Sequence, residues 1–214
     1  MRLFLTFIAG LLAGSGVTAW LSISGALPSG RGVAAASEAK AVRQVLAPPP
    51  LSEAKSVLDP PISDEQRLME RQLALPIVSY PRKDIYDSFY DRRGGTRIHE
   101  GIDLHAPRGT PVVAVDAGSI IKLFTSKPGG LTIYQFDREQ VYCYYYAHLD
   151  RYAEGLHEGQ EVERGELLAY VGHTGNASPD APHLHLSIFK LGPDKNWWQG
   201  TPVNPYPILI NAAR

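Results

Sequence analysis

The chain has 214 residues, a net charge of −1 and a single cysteine. A near-neutral chain lacks the excess of basic residues that is typical of nucleic-acid-binding proteins, so no nucleic-acid partner is expected. One cysteine excludes an internal disulfide framework and any metal site built from several thiolates. The length suits one domain, with or without appended segments.

Residues 1–27 are predicted to export the chain. Arg2 is the only charged residue before Arg31, and the stretch between them is mostly apolar. A positive start followed by an apolar stretch is typical of a secretory signal, and residues 24–26 have the small-x-small pattern of a cleavage site. The stretch also exceeds the roughly 20 residues that span a bilayer. We therefore expect a protein of the periplasm or cell envelope, with residues 3–27 either cleaved or kept as an inner-membrane tether.

Residues 28–75 are predicted to form a proline-rich linker with a short helix at its end. The stretch 28–61 has six prolines and no aromatic residue, so it offers too little apolar surface to offset the entropy of ordering the chain. Ser63 and Gln66 match a capping box and predict a helix near 64–75, which Pro76 ends. The linker either gives a tethered domain reach or only connects two parts of the chain.

Residues 76–214 are predicted to form the working domain. Short apolar stretches separated by glycine and proline are typical of strands, and no long amphipathic helix is evident. The fold class that this predicts is mainly β, a single antiparallel sheet or sandwich. Cys143 is expected to be buried as a small apolar residue. The expected strands are 111–115, 119–124, 131–136, 140–148, 166–171 and 183–189.

Two histidines alternate with leucines near the end of this domain. In a strand, His183 and His185 project from one face while Leu184 and Leu186 enter the core. Two imidazoles on one face can converge on a metal ion or a substrate. An isolated His-x-His is weak support, because surface strands carry such pairs by chance.

A second group of side chains lies upstream. His99 and Asp103, together with one strand histidine, would make a three-ligand set of the kind that leaves zinc a fourth position for water. Glu100 competes with Asp103 for the carboxylate role. The alternative is that Asp103 caps a turn and His99 is a solvated loop residue.

A third histidine, His148, ends a strand that is rich in tyrosine. Strict alternation places Tyr142, Tyr144, Tyr146 and His148 on one face of this strand, so His148 is either a packed core residue or part of the same cleft. The remaining histidines are assigned elsewhere: His157 and His173 to solvated turns, and His105 to a structural role or the groove wall. Tyr134, Tyr146 and the Trp197–Trp198 pair either shape a groove or pack as core aromatics.

Six stretches, in this order, resemble the lysostaphin/LytM-like zinc metallopeptidases, a family that cuts peptide bonds in bacterial cell walls. They are His99-Glu-Gly-Ile-Asp103, Ala106-Pro-Arg-Gly-Thr-Pro-Val112, Tyr146-Ala-His148-Leu149, Gly159-Gln-Glu-Val-Glu-Arg-Gly165, Gly172-His-Thr-Gly175 and Pro182-His-Leu-His185. The resemblance covers residues 99–185 and implies a LytM-like catalytic domain.

Residue by residue, the resemblance implies that His99, Asp103 and His185 bind one zinc ion per chain. It implies that His148 and His183 are the catalytic histidines, without saying which of them acts as the base. The chain departs from the family pattern in the longer stretch 176–181, in Tyr90 and in His105. These departures are expected to affect substrate preference more than chemistry.

The function that the resemblance implies is zinc-dependent hydrolysis of peptidoglycan stem or cross-link peptides by metal-activated water. The alternative is a non-catalytic LytM-like module that binds the wall or activates an amidase, although such relatives typically lack zinc ligands. A biotinyl- or lipoyl-type carrier domain is disfavoured, because no lysine occurs between Lys127 and Lys190. The bond that is cut and the oligomeric state stay open.

Overall fold

The structure is a computed structural model that describes residues 61–211. These residues belong to one of the two units into which the chain divides, Ser56–Arg214. The predicted signal or anchor at 1–27 and most of the linker lie outside the described residues. Within 61–211, no helix has the length and apolar character needed to cross a membrane.

The described chain starts with a capped helix. Helix α1, Asp64–Glu70, has the predicted capping box: the Ser63 hydroxyl accepts from the Gln66 amide, and the Gln66 side chain accepts from the Ser63 amide. The helix ends before Pro76, because Gln72 adopts a left-handed φ of 53°. Leu68 and Leu73 are nevertheless fully buried in the core of the β-structure.

Eleven strands and one further helix follow α1 within the described residues. The strands are β1 Arg92–Arg93, β2 Arg97–Ile98, β3 Ile102–His105, β4 Pro111–Val113, β5 Gly118–Ser126, β6 Gly130–Asp137, β7 Tyr142–Tyr152, β8 Glu161–Val162, β9 Leu167–Val171, β10 His183–Leu191 and β11 Gly200–Val203. The second helix, α2, spans Pro205–Ile210, and Asn204 caps it by accepting from the Tyr206 amide. A single 3-10 turn occupies Arg82–Asp84.

All of the strand pairs are antiparallel, and nine of the strands in the described part of the chain form one sheet. The order along the sheet is β11-β10-β7-β6-β5-β8, with β3 added to β10 and β9 joining β7 to β4. Strands β1 and β2 form a separate hairpin that leads into β3. The prediction of a mainly β, antiparallel domain is therefore confirmed.

The two faces of the sheet have different chemistry. One face carries the apolar core, to which α1 and α2 contribute. Tyr142, Tyr144 and Tyr146 of β7 point into this core and are at most 1% exposed. Cys143 is on the opposite face, where it is also buried and unpaired, as predicted. The face with Cys143 carries the candidate site.

Candidate metal centre

Antiparallel register brings β3 and β10 together at the site. Asp103 lies opposite His185, and His105 lies opposite His183. On the other side of β10, His185 lies opposite Ala147 of β7. Because residues that face each other across strands project to the same side of a sheet, one end of this face gathers histidine and aspartate side chains.

His99 enters the site from the loop before β3. Its backbone amide donates to Asp91 O, and the Glu100 amide donates to Phe89 O. Glu100, in the short link between His99 and β3, has a left-handed φ of 58°. The turn buries His99 to 5% exposure while Glu100 faces solvent.

Three lone-pair-bearing atoms converge at the centre of the site. His99 Nε2 is 2.8 Å from His185 Nδ1 and 3.0 Å from Asp103 Oδ1, and the third edge, His185 Nδ1 to Asp103 Oδ1, is 3.1 Å. We call these atoms the ligand triangle. Ligands of a tetrahedral zinc ion, at roughly 2.0–2.2 Å from the metal, lie about 3.3 Å apart. A slight opening of the triangle therefore accommodates the ion.

Two further hydrogen bonds orient the imidazoles of the triangle. His99 Nδ1 lies 3.0 Å from Ser88 O, and Arg93 Nη2 lies 3.1 Å from Nδ1 and 3.3 Å from Nε2. When Nδ1 donates to the Ser88 carbonyl, Nε2 keeps its lone pair. His185 Nε2 lies 2.8 Å from Ser187 Oγ. When Nε2 donates to that hydroxyl, Nδ1 keeps its lone pair. Such outer partners set the tautomer of metal-binding histidines.

Gly101 permits this close packing. A Cβ at residue 101 would lie 2.5 Å from Ser187 Oγ, 2.6 Å from His185 Cε1 and 2.8 Å from Leu186 O. Two of these atoms belong to the hydrogen-bonded pair that orients the His185 ring. The glycine is therefore required by the approach of the loop to β10.

The charge of Asp103 is stabilised in the site. Arg93 Nη2 donates to Asp103 Oδ2 at 2.6 Å, which leaves Oδ1 to face the two histidines. Burial by itself raises the pKa of Asp103, but its close contacts with His185 and His99 outweigh burial and hold the pKa well below its ordinary value. Asp103 is thus a carboxylate at neutral pH, as a metal ligand must be.

His148 and His183 form a second group, which we call the histidine pair. Their ring centroids are 4.8 Å apart. His148 Nδ1 lies 2.8 Å from Thr174 O, and His183 Nδ1 lies 2.9 Å from Ala181 O. Because both partners are carbonyls, each Nδ1 is the donor, and each Nε2 is left with a lone pair for another group.

Burial favours neutral imidazoles around the site. It lowers the pKa of His148 to about 4, against a hydrogen bond to Thr174 that raises it, while the charges of His183 and His185 lower it further. Burial likewise lowers the pKa of His185, against the opposing influence of Asp103. Neutral imidazoles can bind a metal ion or accept a proton.

Both groups open into one cleft of about 510 Å³. This volume is in the range of ordinary small-molecule and peptide pockets. The walls away from the histidines carry charges of both signs and aromatic rings. Among the wall residues are Asp84, Tyr86, Asp91, Arg97, Tyr145 and Asn176.

The comparison with protein families identifies the domain. The model of peptidase family M23 matches residues 97–205, which is half of the chain. The chain belongs to peptidase family M23. The matched residues include the whole ligand triangle and the histidine pair.

Individual relatives of this M23 chain agree with that result. It is 36% identical to an L-Ala–D-Glu endopeptidase of Bacillus subtilis over an alignment of 121 residues. This alignment covers 54% of this chain and 36% of the relative. It is 31% identical over 103 residues to the peptidoglycan DD-endopeptidase ShyC of Vibrio cholerae, covering 48% and 23% respectively. The match therefore spans only about a third or less of the length of these curated relatives.

A solved structure shares the fold. A lytM protein from Ruminococcus gnavus superposes with a TM-score of 0.52 at 34% identity, covering 60% of this chain and 53% of that one. This similarity and the family match confirm the resemblance to the LytM-like peptidases. The roles of individual residues in the M23 chain stay predictions.

The structure brings all five predicted site residues into one cleft. Glu100, the competing carboxylate, is exposed and outside the ligand triangle. The strand alternation that placed His148 on the tyrosine face is wrong. His148 has a left-handed φ of 60°, which interrupts the alternation and turns its ring to the face of His183.

The remaining histidines and aromatics also have defined positions. His157 is exposed, as predicted. His105 lies in the cleft wall, with its ring centroid 5.3 Å from that of His183. His173 is only half-buried, yet its Nδ1 is shielded from solvent and has no hydrogen-bond partner in the described part of the chain. Tyr146 is a core residue whose hydroxyl donates to Gln135.

Sequence reasoning missed the residues that orient the site: Arg93, Ser187, and the carbonyls of Ser88, Thr174 and Ala181. Backbone carbonyls have no sequence signal. Ser187 had one, because it shares strand parity with His183 and His185. The only sequence signal for Arg93 was its position six residues before His99.

Proposed function

We propose that the chain is a zinc-dependent endopeptidase that hydrolyses peptide bonds in bacterial peptidoglycan. The observation that carries the proposal is the ligand triangle of three atoms 2.8–3.1 Å apart, beside two further histidines that line the same cleft. Membership of family M23 and the endopeptidase relatives support the same activity.

In this proposal His99 Nε2, Asp103 Oδ1 and His185 Nδ1 hold one zinc ion per chain. When bound, zinc supplies Lewis acidity and lowers the pKa of coordinated water towards about 7. Arg93 holds Asp103 so that one carboxylate oxygen faces the metal, and Ser187 holds the His185 ring. Three protein ligands leave a position open, as catalytic zinc sites do.

His148 and His183 are proposed to move protons or to stabilise the oxyanion. One would accept a proton from the attacking water through Nε2, and the other, in its doubly protonated form, would donate its Nε2 proton to the oxyanion or to the leaving amine. Their Nδ1–H groups are anchored on Thr174 O and Ala181 O, so the rings keep Nε2 aimed at the cleft. Such anchoring reduces the reorganisation needed at each turnover.

The substrate is proposed to be a stem or cross-link peptide of the wall. The proposed domain organisation is a signal or anchor at 1–27, a linker at 28–75 and the peptidase domain at 76–214. A peptidoglycan substrate requires export, which the apolar stretch 3–27 would provide. We accordingly propose an envelope location, with or without a membrane tether.

The test combines metal analysis with digestion. Purified protein is analysed for zinc and incubated with purified peptidoglycan, and released fragments are identified by mass spectrometry. The expected result is about one zinc per chain and fragments that define one type of peptide bond. A chelator should abolish release, and added zinc should restore it. Zinc retained without cleavage of wall or peptides would instead favour the wall-binding or amidase-activating module.

A further inference from the structure

A series of aromatic rings leads away from the metal centre on the site face of the sheet. Tyr145 stacks its edge on His185, with ring centroids 5.8 Å apart. Tyr134 lies 4.7 Å beyond Tyr145, Trp197 lies 4.6 Å beyond Tyr134, and Trp198 lies 5.1 Å beyond Trp197. We call Tyr134, Tyr145, Trp197, Trp198 and Phe124 the aromatic strip.

The strip is partly core and partly open surface. Tyr134 and Trp197 pack on a small buried cluster that includes Phe136 and Cys143, which holds the inner rings in place. At the outer end Trp198 is 64% exposed and Phe124 is 41% exposed. Large aromatic side chains exposed beside a functional cleft are typical of binding surfaces.

Hydrogen-bonding groups lie in the same loop as the two tryptophans. The residues that flank the pair, Asn196 and Gln199, line a cavity of about 270 Å³ together with Thr201. Side-chain amides and hydroxyls both donate and accept. Neighbouring rings of the strip are inclined at 43–81°, so the strip offers separate aromatic faces rather than one plane. Exposed ring faces with such groups nearby suit a ligand that has an apolar ring face and a polar edge.

Two lysine ammonium groups lie near this loop. Lys190 Nζ donates to Asp64, and Lys195 Nζ donates to Gln140 O at 2.6 Å. Lys190 is therefore paired with a carboxylate, whereas Lys195 is exposed and contacts only a carbonyl. A neutral sugar needs only ring stacking and hydrogen bonds, and the remaining N–H groups of Lys195 can donate to its hydroxyl groups.

We propose that the aromatic strip is a binding subsite for the glycan of the wall, taking β-1,4-linked N-acetylhexosamine units. The inference rests on the proposed function, since the peptide to be cut is attached to that glycan. The faces of the sugar rings lie on Trp198 and Phe124, and their acetamido and hydroxyl groups face Asn196 and Gln199. The strip is continuous with the cleft through Tyr145, so one polymer reaches both.

A binding measurement tests the subsite without requiring hydrolysis. β-1,4-linked N-acetylglucosamine oligomers are titrated calorimetrically into the full-length chain and its Trp198→Ala and Phe124→Ala variants. Each variant should bind about three- to tenfold more weakly, the range that one aromatic contact contributes. Leu167→Ala is the matched control, because Leu167 is 38% exposed and lies outside the strip and the cleft. It should bind as the unaltered chain does.

A kinetic comparison then separates this inference from the proposed function. Cross-linked peptides with and without their sugars are compared as substrates. The strip variants should lose kcat/KM on the sugar-bearing substrate and keep it on the free peptide. No oligomer binding by the unaltered chain, or equal losses on both substrates, would overturn the subsite. Oligomer binding that depends on Trp198, in a chain that hydrolyses neither substrate, would overturn the proposed function and leave the subsite supported.

Discussion

The ligand triangle and the histidine pair share one cleft but are held in different ways. The triangle is held mainly by side chains: its three members contact one another, Arg93 binds Asp103 and Ser187 binds His185, and only His99 also uses a backbone carbonyl, that of Ser88. The histidine pair is held by backbone, through the carbonyls of Thr174 and Ala181. The difference separates two tasks. The three atoms of the triangle lie within 3.1 Å of one another, as ligands of one ion would, whereas the pair has looser contacts, with His183 Nε2 3.8 Å from Asp103 Oδ1.

The largest expected effect is removal of a triangle member. Asp103→Ala or His185→Ala should lower zinc content from about one per chain to near zero and abolish hydrolysis, because two ligands do not retain the ion. Glu100→Ala is the control, since this neighbouring carboxylate is exposed, and it should keep its zinc. Metal analysis after dialysis gives the answer. Zinc retained by Asp103→Ala and lost by Glu100→Ala would reverse the assignment.

The next effect is loss of a proton-transfer group. His148→Ala and His183→Ala should keep zinc and lower kcat about 100- to 10,000-fold, which is what general acid–base catalysis typically contributes. His157→Ala, an exposed histidine in a turn, should match the unaltered enzyme. Metal analysis is paired with steady-state kinetics. If all histidine variants lost zinc equally, the division into a triangle and a pair would fail.

A smaller effect is expected at Gly101. A methyl group there would press on Ser187 Oγ and His185 Cε1, at 2.5 and 2.6 Å. Gly101→Ala should therefore weaken zinc affinity about ten- to a hundredfold, as displaced outer partners of ligands do. Gly192→Ala serves as control, because a Cβ there meets no atom within 4 Å. Competition with a chelator measures the affinity, and equal values for both variants would contradict the packing explanation.

Substitution of Ser187 removes one hydrogen bond that orients the ligand triangle, without introducing a steric clash. Ser187→Ala removes the acceptor of the His185 Nε2 proton without adding bulk, and zinc affinity should fall about tenfold. Ser119→Ala, whose hydroxyl pairs with Glu161 on the surface, should have no effect. Chelator competition is again the measurement. An unchanged affinity in Ser187→Ala would mean that this hydrogen bond does not orient the ligand.

Thr174 tests the support of the pair and should give the smallest effect. Its hydroxyl donates to Leu149 O and accepts from the Leu131 amide, which holds the carbonyl that orients His148. Thr174→Val should lower kcat severalfold and leave zinc affinity unchanged, because the carbonyl remains but is less firmly placed. Thr125→Val, at an exposed position, is the control. If Thr174→Val lowered zinc affinity instead of kcat, the ligand triangle and the histidine pair would not be separate functional groups.

Much of the fold was predictable from local pattern. Short apolar stretches separated by glycine and proline correctly located six strands, and Ser63 and Gln66 correctly located the start of α1. The strands that were missed, β1, β2, β3, β8 and β11, have two to four residues each and too few alternating positions to recognise. The end of α1 was predicted too late in the sequence, because Gln72 adopts a left-handed conformation for which a glutamine gives no sequence signal.

The site was predictable as a set of residues but not as a geometry. The order of the motifs in the sequence is enough to indicate His99, Asp103, His148, His183 and His185. Alternation failed at His148, because one left-handed residue shifts the side chain to the other face. Contacts such as that of Arg93 with Asp103 depend on how separate segments are placed in the tertiary structure, and local sequence patterns do not predict this placement.

The sequence by itself determined the antiparallel β class and the residue types that carry the chemistry. Its motifs also indicated the peptidase family to which the chain belongs. These follow from periodicity and from the ligand preferences of imidazole and carboxylate. Only the tertiary structure decided which atoms face one another. The register of β10 against β3 and β7 and the left-handed turns at Glu100 and His148 bring distant residues within 3 to 5 Å. Pairing across strands is a non-local choice, made by the packing of the whole sheet rather than by any segment alone.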